Sequence, residues 1–477
     1  MKDYLVFWEE RKKEFITFIF NSIMLKDAML NSIHLGTAYN NDSLTLIAVD
    51  KIIYMQMKVF LLLSITIFIC SAAFSQEQPI TLDRCLLQAE QQFPLLKQKA
   101  LYETIADHNQ TNIQTNYLPQ VNINGQASWQ SDVTKVAINL PGVNIPTPNK
   151  DMYKLTLDVN QLIFDAGTTK RQVELEKINL ELNRQGVDVE LYKLKDRVSQ
   201  IYFGILLLRD NEELLRITRG DIESQQKKIE SAVNHGVMLA SNLAVLKVEI
   251  LKMDQALAEL RFSEEALIQS MVELTGINMA TTSVLQLPDP NVDSGLADVK
   301  RPEYKLFELQ QDRLKSMDRV TETKTKPKLL GFGTWGYGRP GLNMLSNDFK
   351  GYAMFGAKVS WNVWNWNQTT TERQVFGVQK SIIETQKESF NQNLKIALQN
   401  NRSEINKYES LIETDNQIIQ LRNEITLASA SQLNNGVITS SEYLTQVNAE
   451  LQARLNIKTH RVKLAQAKIN YLITLGQ

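Results

Sequence analysis

The sequence predicts a mainly α-helical chain in which long antiparallel coiled-coil hairpins are combined with four β-strands. Three observations indicate this fold class. Hydrophobic residues recur at alternating steps of three and four over very long stretches, as in a coiled-coil seam. Shorter segments alternate between apolar and polar residues, as half-buried strands do. The 477 residues also include only 11 prolines and 20 glycines, which favours uninterrupted helices.

Two similar glycine turns divide the chain into two copies of one large unit. Residues 236–241 read GVMLAS, and residues 436–441 read GVITSS; a helical run follows each turn. A period of about 200 residues is too long for a solenoid repeat. We therefore predict a first structural repeat over residues 76–276, a linker over 277–300 and a second structural repeat over 301–477.

The N-terminal part carries targeting features. Residues 57–75 read MKVFLLLSITIFICSAAFS, in which a lysine, a short apolar core and a small-residue end are the parts of a secretory signal peptide. A lipoprotein signal through Cys70 fits less well, because the three residues before it are not small. The signal begins at an internal methionine. We interpret residues 1–56 as an N-terminal extension from a start codon placed too far upstream, with a genuine cytoplasmic extension as the alternative.

The helices of the first repeat follow from caps and breakers. Thr81 is suited to cap a helix that runs to about Asn116, with a kink expected at Phe93-Pro94. Asp165 is placed to cap a second helix, which contains no proline up to about Asn234. That helix would extend on the order of 100 Å, which no ordinary globular core requires. A seam from Leu191 to Leu208 predicts that it pairs with the helix returning from the first glycine turn.

The strands are predicted from alternation with a period of two. In the first repeat, residues 121–130 alternate strictly between apolar odd positions (with Gly125 among them) and polar even positions. In the second predicted strand, about 152–164, one face carries Tyr153, Leu155, Leu157, Val159 and Ile163, and the other carries Lys154, Thr156, Asp158 and Asn160. In the second repeat, a segment rich in glycine and aromatic residues over 329–339 alternates poorly. Residues 353–363 again carry apolar side chains at odd positions. Each repeat thus reads helix, strand, strand, long helix, glycine turn and helix.

Strands of this length match the ~9–11 residues that a membrane-spanning β-strand needs. Strands in lipid must close into a barrel, and four strands are too few to enclose a pore. Several chains therefore have to pool their strands. A soluble β-sandwich face would alternate in the same way, but the signal peptide and the long helices favour the membrane. The predicted lipid-facing positions are Val121, Ile123, Trp129, Tyr153, Leu155, Leu157, Val159, Phe355, Val359 and Trp361.

The composition and the motifs argue against several other functions. A formal net charge of -1 does not suggest a nucleic-acid partner. The four histidines are scattered without metal-like spacing, and no catalytic constellation or phosphate-binding loop stands out. Gly331, Gly333 and Gly336 fit a dinucleotide fingerprint on paper but lie in a strand with no helix opening after it. We therefore expect no enzyme activity, no cofactor and no metal site.

The order and duplication of several short motifs resemble the TolC-like outer membrane efflux protein family, also called outer membrane factors. The resemblance covers about residues 78–477. The motifs, in chain order, are Thr81-Leu82, Phe93-Pro94, Tyr117-Leu118-Pro119, Phe164-Asp165-Ala166-Gly167 and the two Gly-Val turns. This resemblance implies a homotrimer whose chains share a twelve-stranded barrel in the outer membrane. The barrel would be continuous with an α-helical tunnel in the periplasm.

The resemblance also implies partners: a periplasmic adaptor, or membrane fusion protein, and an inner-membrane pump of the RND, ABC or MFS type. In such proteins the helical turns at the far end of the tunnel are thought to touch the adaptor. On this sequence the predicted docking residues are Gly236, Val237, Leu239, Ser241, Gly436, Val437, Thr439 and Ser441.

The sequence thus predicts a passive outer-membrane channel of a tripartite efflux system for small molecules, drugs or metal ions. The alternatives are the duct of a type I protein secretion system and, in a different class, a soluble periplasmic coiled-coil scaffold. Opening would require the helix pairs to untwist. Candidate latch residues near the tips are Asp221, Glu223 and Arg422.

Overall fold

The computed structural model describes residues 79–134, 147–292 and 299–477. The predicted signal peptide, the predicted extension and parts of the loop between the first two strands and of the linker lie outside the described residues. None of the helices in the described ranges combines the length and the hydrophobicity that a membrane-crossing helix requires.

The first half, up to residue 292, begins with two short helices separated at Pro94. Thr81 Oγ1 accepts a hydrogen bond from the Arg84 backbone N–H at 3.3 Å, so this threonine caps the first helix as predicted. The elements are α1 (Leu82–Gln92), a 3₁₀ turn (Pro94–Leu96), α2 (Lys97–Gln114), a 3₁₀ turn (Thr115–Tyr117), β1 (Gln120–Trp129), β2 (Asp151–Phe164), α3 (Thr168–Asn234) and α4 (Ala240–Thr275).

The second half, residues 299–477, repeats this order. Its elements are α5 (Pro302–Glu322), a 3₁₀ turn (Thr323–Thr325), β3 (Lys328–Arg339), β4 (Lys350–Ser360), α6 (Gln368–Asn434) and α7 (Ser440–Leu475). The long helices α3 and α6 each have 67 residues, and the returning helices α4 and α7 each have 36. A helix of 67 residues, such as α3 or α6, extends about 100 Å. The shorter helix α2 packs on α3, and α5 packs on both α3 and α6.

Three hydrophobic clusters hold the helices together in the described ranges, and the smallest joins α6 and α7 around Tyr408. The largest lies where α1, α3, α4, α7 and the start of the linker meet, around Tyr202, Phe203 and Met271. Tyr202 is fully buried, and its hydroxyl lies 2.8 Å from the Ile80 carbonyl and 2.6 Å from the Gln286 carbonyl. The second cluster lies near the glycine turns and takes residues from all four long hairpin arms. Several residues of the predicted seam, including Leu191, are buried in α3.

The four strands form one antiparallel sheet in the order β1-β2-β3-β4. Val121 lies opposite Val159 in the β1–β2 pair, and Trp335 lies opposite Leu157 in the β2–β3 pair. The poorly alternating segment still forms β3, because its glycines make room for aromatic neighbours. A Cβ atom at Gly333 would come within 3.0 Å of the Phe355 ring.

The fourth strand is shorter than predicted. It ends at Ser360, so Trp361 and Val363 lie beyond it. The register of the β3–β4 pair would place Trp361 opposite Pro327, since Lys328 lies opposite Ser360. Proline has no backbone N–H to donate to a strand ladder, so the pairing stops there. Trp361 therefore lies outside the strand, and the prediction that it occupies a strand position is wrong.

Candidate functional site

One face of the sheet is apolar and is not covered by the described part of the chain. The register places nine of the ten predicted lipid-facing residues, all except Trp361, on this face. Ile123 is 73% exposed, and Trp129, Leu155, Phe355 and Val359 are exposed as well. A soluble protein rarely leaves so large a continuous apolar area in water. The face therefore requires a partner of low polarity.

The opposite face of the sheet carries a polar network centred on Asp158. Its Oδ2 accepts hydrogen bonds from Asn124 Nδ2 at 2.7 Å and from Thr156 Oγ1 at 2.8 Å. Its Oδ1 accepts a third from Thr334 Oγ1 at 2.6 Å. These bonds tie β1, β2 and β3 together on the face away from the apolar surface. A polar face behind an apolar one is the arrangement of a barrel wall with a wet interior.

Both edges of the sheet are open within the chain. Among the described residues, β1 pairs only with β2, and β4 pairs only with β3. Each edge therefore presents unpaired backbone donors and acceptors, which favour addition of a further strand. In a membrane such groups cannot remain unpaired.

The end of the sheet far from the helices, here called the distal end, carries an aromatic cluster. The Tyr337 and Phe349 rings stack at 5.9 Å between centroids, and Tyr153 stacks on Phe349 at 6.2 Å. Arg339 lies over both Tyr153 and Phe349 and forms an ion pair with Asp151. Aromatic rings of this kind concentrate where a membrane meets water.

At the other end, the first strand-to-helix junction is organised by a buried carboxylate. Asp165 is 2% exposed. Its Oδ1 accepts from Tyr117 Oη at 2.8 Å and from the Gly167 N–H at 2.9 Å, and its Oδ2 accepts from the Thr169 N–H at 2.6 Å. Gly167 is the N-cap residue of α3, so Asp165 caps the helix from two positions upstream. Burial by itself raises the pKa of the Asp165 carboxyl, but the hydrogen bonds from Thr169, Tyr117 and Gly167 lower the pKa below its ordinary value.

The second junction makes the same turn with different residues. Trp366 and Asn367 adopt φ angles of +52° and +61°, as Ala166 and Gly167 adopt +55° and +84° in the first junction. Asn365 replaces the aspartate, and its Nδ2 donates to Thr369 Oγ1 at 2.5 Å. Here the Trp366 side chain is exposed.

The two helical hairpins turn at their tips through the same backbone motif. Gly236 and Gly436 have φ angles of +72° and +70°. In the first tip the Val237 N–H donates to the Ala232 carbonyl at 2.8 Å, and the Gly236 N–H donates to Val233 at 3.0 Å. The second tip repeats both bonds at the same positions. This pattern ends a helix on a left-handed residue, which glycine adopts without a Cβ penalty.

The residues that flank the two turns differ. Val237 and Leu239 are 78% and 73% exposed at the first tip, whereas Val437 is the corresponding exposed apolar residue at the second. Thr439 forms a reciprocal capping box with Glu442, and Leu239 at the equivalent position provides no side-chain cap. All eight predicted docking residues lie at these tips, and both Ser241 and Ser441 are exposed.

Polar links between the two hairpins lie just behind the tips, and sequence reasoning missed them. Gln225 Nε2 donates to Asn434 Oδ1 at 2.6 Å, and the Ser440 N–H donates to Asn242 Oδ1 at 2.9 Å. Asn448 Nδ2 donates to Glu249 Oε1 at 3.0 Å. No sequence signal pointed to these pairs, because their members lie about 200 residues apart on helices rich in polar residues.

Two of the three suggested latch residues, Glu223 and Arg422, have local partners. Glu223 pairs with Arg219 at 3.1 Å one turn away, and Arg422 Nη1 donates to Gln446 Oε1 at 3.4 Å across the second hairpin. Arg219 also pairs with Asp254 at 2.6 Å across the first hairpin. The charge of Asp221 contributes to raising the pKa of Tyr443, after the larger effect of burial. Within the described ranges no cluster of histidine, cysteine and carboxylate residues could hold a metal ion.

This architecture is similar to that of known outer membrane channels. Residues 86–276 match the model of the family described as outer membrane efflux protein. The fold is similar to that of the CmeC outer membrane channel of Campylobacter jejuni, with a TM-score of 0.60 at 14% identity over 83% of this chain and 85% of that chain. It is similar to VceC of Vibrio cholerae, with a TM-score of 0.58 at 12% identity over 83% of this chain and 96% of that chain.

The open state of the MtrE outer membrane channel of Neisseria gonorrhoeae gives a TM-score of 0.59 at 15% identity, over 83% of this chain and 88% of that chain. No curated protein matches the chain by sequence. The fold is that of the TolC-like outer membrane channels, as the resemblance implied. Residues 86–276 therefore carry the sequence pattern of the outer membrane efflux protein family.

Proposed function

We propose that the protein is the outer-membrane channel of a tripartite efflux system, a passive conduit that exports small molecules, drugs or metal ions. The observation that carries this proposal is the open four-stranded sheet, with one bare apolar face, mounted on two 67-residue helices. Lipid is the partner that suits the apolar face. The Asp158 network then faces a water-filled lumen.

The active assembly in this proposal is a homotrimer. The open edges of β1 and β4 would pair with those of neighbouring chains, so that three chains close a barrel of about twelve strands. The hairpins of the three chains would line one continuous helical tunnel in the periplasm. The predicted signal peptide would deliver the chain to that compartment.

The tips of the tunnel are the proposed docking site of a periplasmic adaptor, which would connect the channel to an inner-membrane pump of the RND, ABC or MFS type. Their exposed apolar side chains support this, since Val237, Leu239 and Val437 have no cover in the described part of the chain. Pump and adaptor would supply the energy and control opening. The alternative of a soluble scaffold is not supported, because its sheet would need its apolar face packed inside the protein.

The test starts from full-length protein extracted from membranes. A channel requires detergent for extraction, has the mass of three chains and conducts ions in a planar bilayer. A water-soluble monomer without conductance would contradict the proposal. Deletion of the gene, followed by drug-susceptibility and secretome assays, separates export of small solutes from type I protein secretion.

A pair of variants on adjacent residues of β1 tests which face meets lipid. Ile123→Arg places a charge on the apolar face and is expected to cost ~2–4 kcal/mol near the membrane midplane. Asn122→Arg places the same charge on the polar face, opposite Asp158. We expect the first variant to lose trimers from the membrane fraction and the second to keep them. Equal loss from both would contradict the assignment of the faces.

A further inference from the structure

The second strand-to-helix junction presents tryptophans that the described part of the chain does not cover. Trp364 is 70% exposed and Trp366 is 85% exposed. Their rings meet edge to face with centroids 5.8 Å apart. The nearby Trp361 is exposed as well, although its indole N–H donates to the Thr325 carbonyl at 2.9 Å.

Trp366 sits where an aromatic residue is rarely found. Its φ of +52° lies in the left-handed region, where a bulky side chain is an outlier. The first junction fills the equivalent position with Ala166 at φ +55°. The two halves therefore share the turn, but only the second adds an indole at its outermost point. A strained residue of this kind indicates a role outside the local fold.

The position of the tryptophans matches the thickness of a membrane. Phe349 belongs to the distal aromatic cluster and immediately precedes β4, and Trp361 lies twelve positions further along the chain, immediately after β4. At about 3.3 Å per residue this is roughly 40 Å along the strand. A tilt of about 45°, usual for barrel strands, reduces the vertical distance to about 28 Å, close to the ~30 Å of the hydrocarbon core. When the distal cluster lies at one headgroup layer, the tryptophans lie at the other.

The charges around the second junction suit lipid headgroups. Lys324 and Lys326 are exposed there and form only surface ion pairs, with Glu372 at 2.7 Å and with Glu322 at 3.1 Å. Such pairs are weak and leave the ammonium groups available to phosphate. In the first half, the segment before Pro119 contains Asn116 and Leu118 at the equivalent places.

We propose that Trp361, Trp364 and Trp366 form an interfacial anchor that inserts into the phospholipid headgroup layer of the periplasmic leaflet. The indole suits this layer because it combines an apolar ring with one polar N–H. The proposal rests on the proposed function, since it requires the sheet to lie in the outer membrane. It assigns the anchoring at this level to the second half of the chain only.

Two single-tryptophan versions of the full chain test the anchor by fluorescence quenching. One keeps Trp366 and the other keeps Trp335, which lies at mid-sheet on the apolar face against Phe355; the remaining tryptophans become phenylalanine. Each is reconstituted into vesicles whose phospholipids carry bromine either near the ester group or near the chain end. We expect shallow bromine to quench Trp366 about twofold more than deep bromine, and the order to reverse for Trp335.

The outcomes separate the two proposals. Quenching of Trp335 by deep bromine together with no quenching of Trp366 would overturn the anchor alone and indicate cover by a neighbouring subunit. No quenching of Trp335 would overturn the proposed function and the anchor with it. Should these versions fail to fold, the otherwise natural chain is changed to W364A/W366A. We expect that pair to lose most of the rise in trimer dissociation temperature on transfer from detergent to lipid, whereas Phe164→Ala in the first junction keeps it. Equal behaviour of the two would overturn the anchor.

Discussion

The two strand-to-helix junctions make the same left-handed turn and stabilise it in different ways. In the first, a carboxylate at 2% exposure gathers Tyr117 and two backbone N–H groups. In the second, Asn365 makes one bond to a threonine, and the indole of Trp366 is left exposed. The first junction is stabilised by its own chain. The second leaves an aromatic side chain uncovered by the described part of the chain, which the proposed anchor would place among lipid headgroups.

The tips show the same division between a shared backbone and different side chains. Both turns use the same glycine motif, but the second is capped by Thr439 and Glu442 while the first exposes Leu239. Capping lowers the free energy of a helix end, and an exposed apolar residue raises it until a partner covers it. In the proposed docking of an adaptor, the first tip therefore offers two exposed apolar side chains, Val237 and Leu239, and the second offers Val437 beside a capped helix.

The largest expected effect comes from removing the carboxylate of the first junction. Asp165→Ala leaves Tyr117 Oη and the Gly167 and Thr169 N–H groups without their acceptor, and should cost about 3 kcal/mol of unfolding free energy. Asn365→Ala removes a single side-chain bond and should cost about 1 kcal/mol. Urea titration of the detergent-solubilised protein measures both. Equal losses would mean that the buried carboxylate of Asp165 contributes no more than the half-buried amide of Asn365.

The next effect concerns adaptor binding at the tips. Leu239→Ser removes an exposed apolar side chain from the first tip and should weaken binding of a purified adaptor about tenfold, as loss of an interface anchor does. Thr439→Ser at the equivalent position of the second tip keeps a capping hydroxyl and should change the Kd less than about twofold. Titration calorimetry with the channel in nanodiscs measures both constants. A larger loss of adaptor affinity from Thr439→Ser than from Leu239→Ser would mean that the second tip, and not the first, provides the main contact with the adaptor.

A smaller effect is expected from the capping box. Thr439→Ala removes the acceptor for the Glu442 N–H and should lower the stability of the second hairpin by about 1 kcal/mol. Leu239→Ala changes no cap and should leave the first hairpin within about 0.5 kcal/mol. Hydrogen exchange of the first turns of α7 and α4 reports each tip separately. Faster exchange in both tips after Thr439→Ala would show that the Asn242–Ser440 bond couples them.

Most of the fold could be predicted from the periodicity of hydrophobic residues, because long helices and alternating strands repeat their pattern many times. The role of Asp165 was also predictable, since an acidic residue between a strand and a helix suits a cap, although the N-cap itself is Gly167. The end of β4 was not predictable from its own residues. Pro327, immediately before β3, cannot provide the pairing partner that Trp361 would need. The Gln225–Asn434 link was equally hidden, because it depends on how two hairpins pack.

The smallest expected effect is a dependence on pH that only the first junction shows. The ordinary pKa of an aspartate carboxyl is 3.8, and in the folded protein that of Asp165 is lower. The unfolded chain therefore takes up this proton at a higher pH than the folded chain, and acid favours unfolding. The stabilisation is complete above the ordinary pKa and is lost as pH falls through the lowered one. The amide of Asn365 does not titrate, so the second junction contributes no such dependence of stability on pH.

The comparison that isolates this proton is between the natural chain and Asp165→Asn. At neutral pH the variant should be less stable, because an amide oxygen replaces a charged acceptor. As pH falls below the ordinary aspartate pKa, the natural chain should lose stability and the gap between the two should shrink. The stability that the natural chain loses in acid should be smaller than the stability lost in Asp165→Ala, since a protonated Asp165 side chain still fills its site. Unfolding free energies at a series of pH values measure the gap; a gap that stays constant would show that the carboxylate charge contributes nothing to the junction.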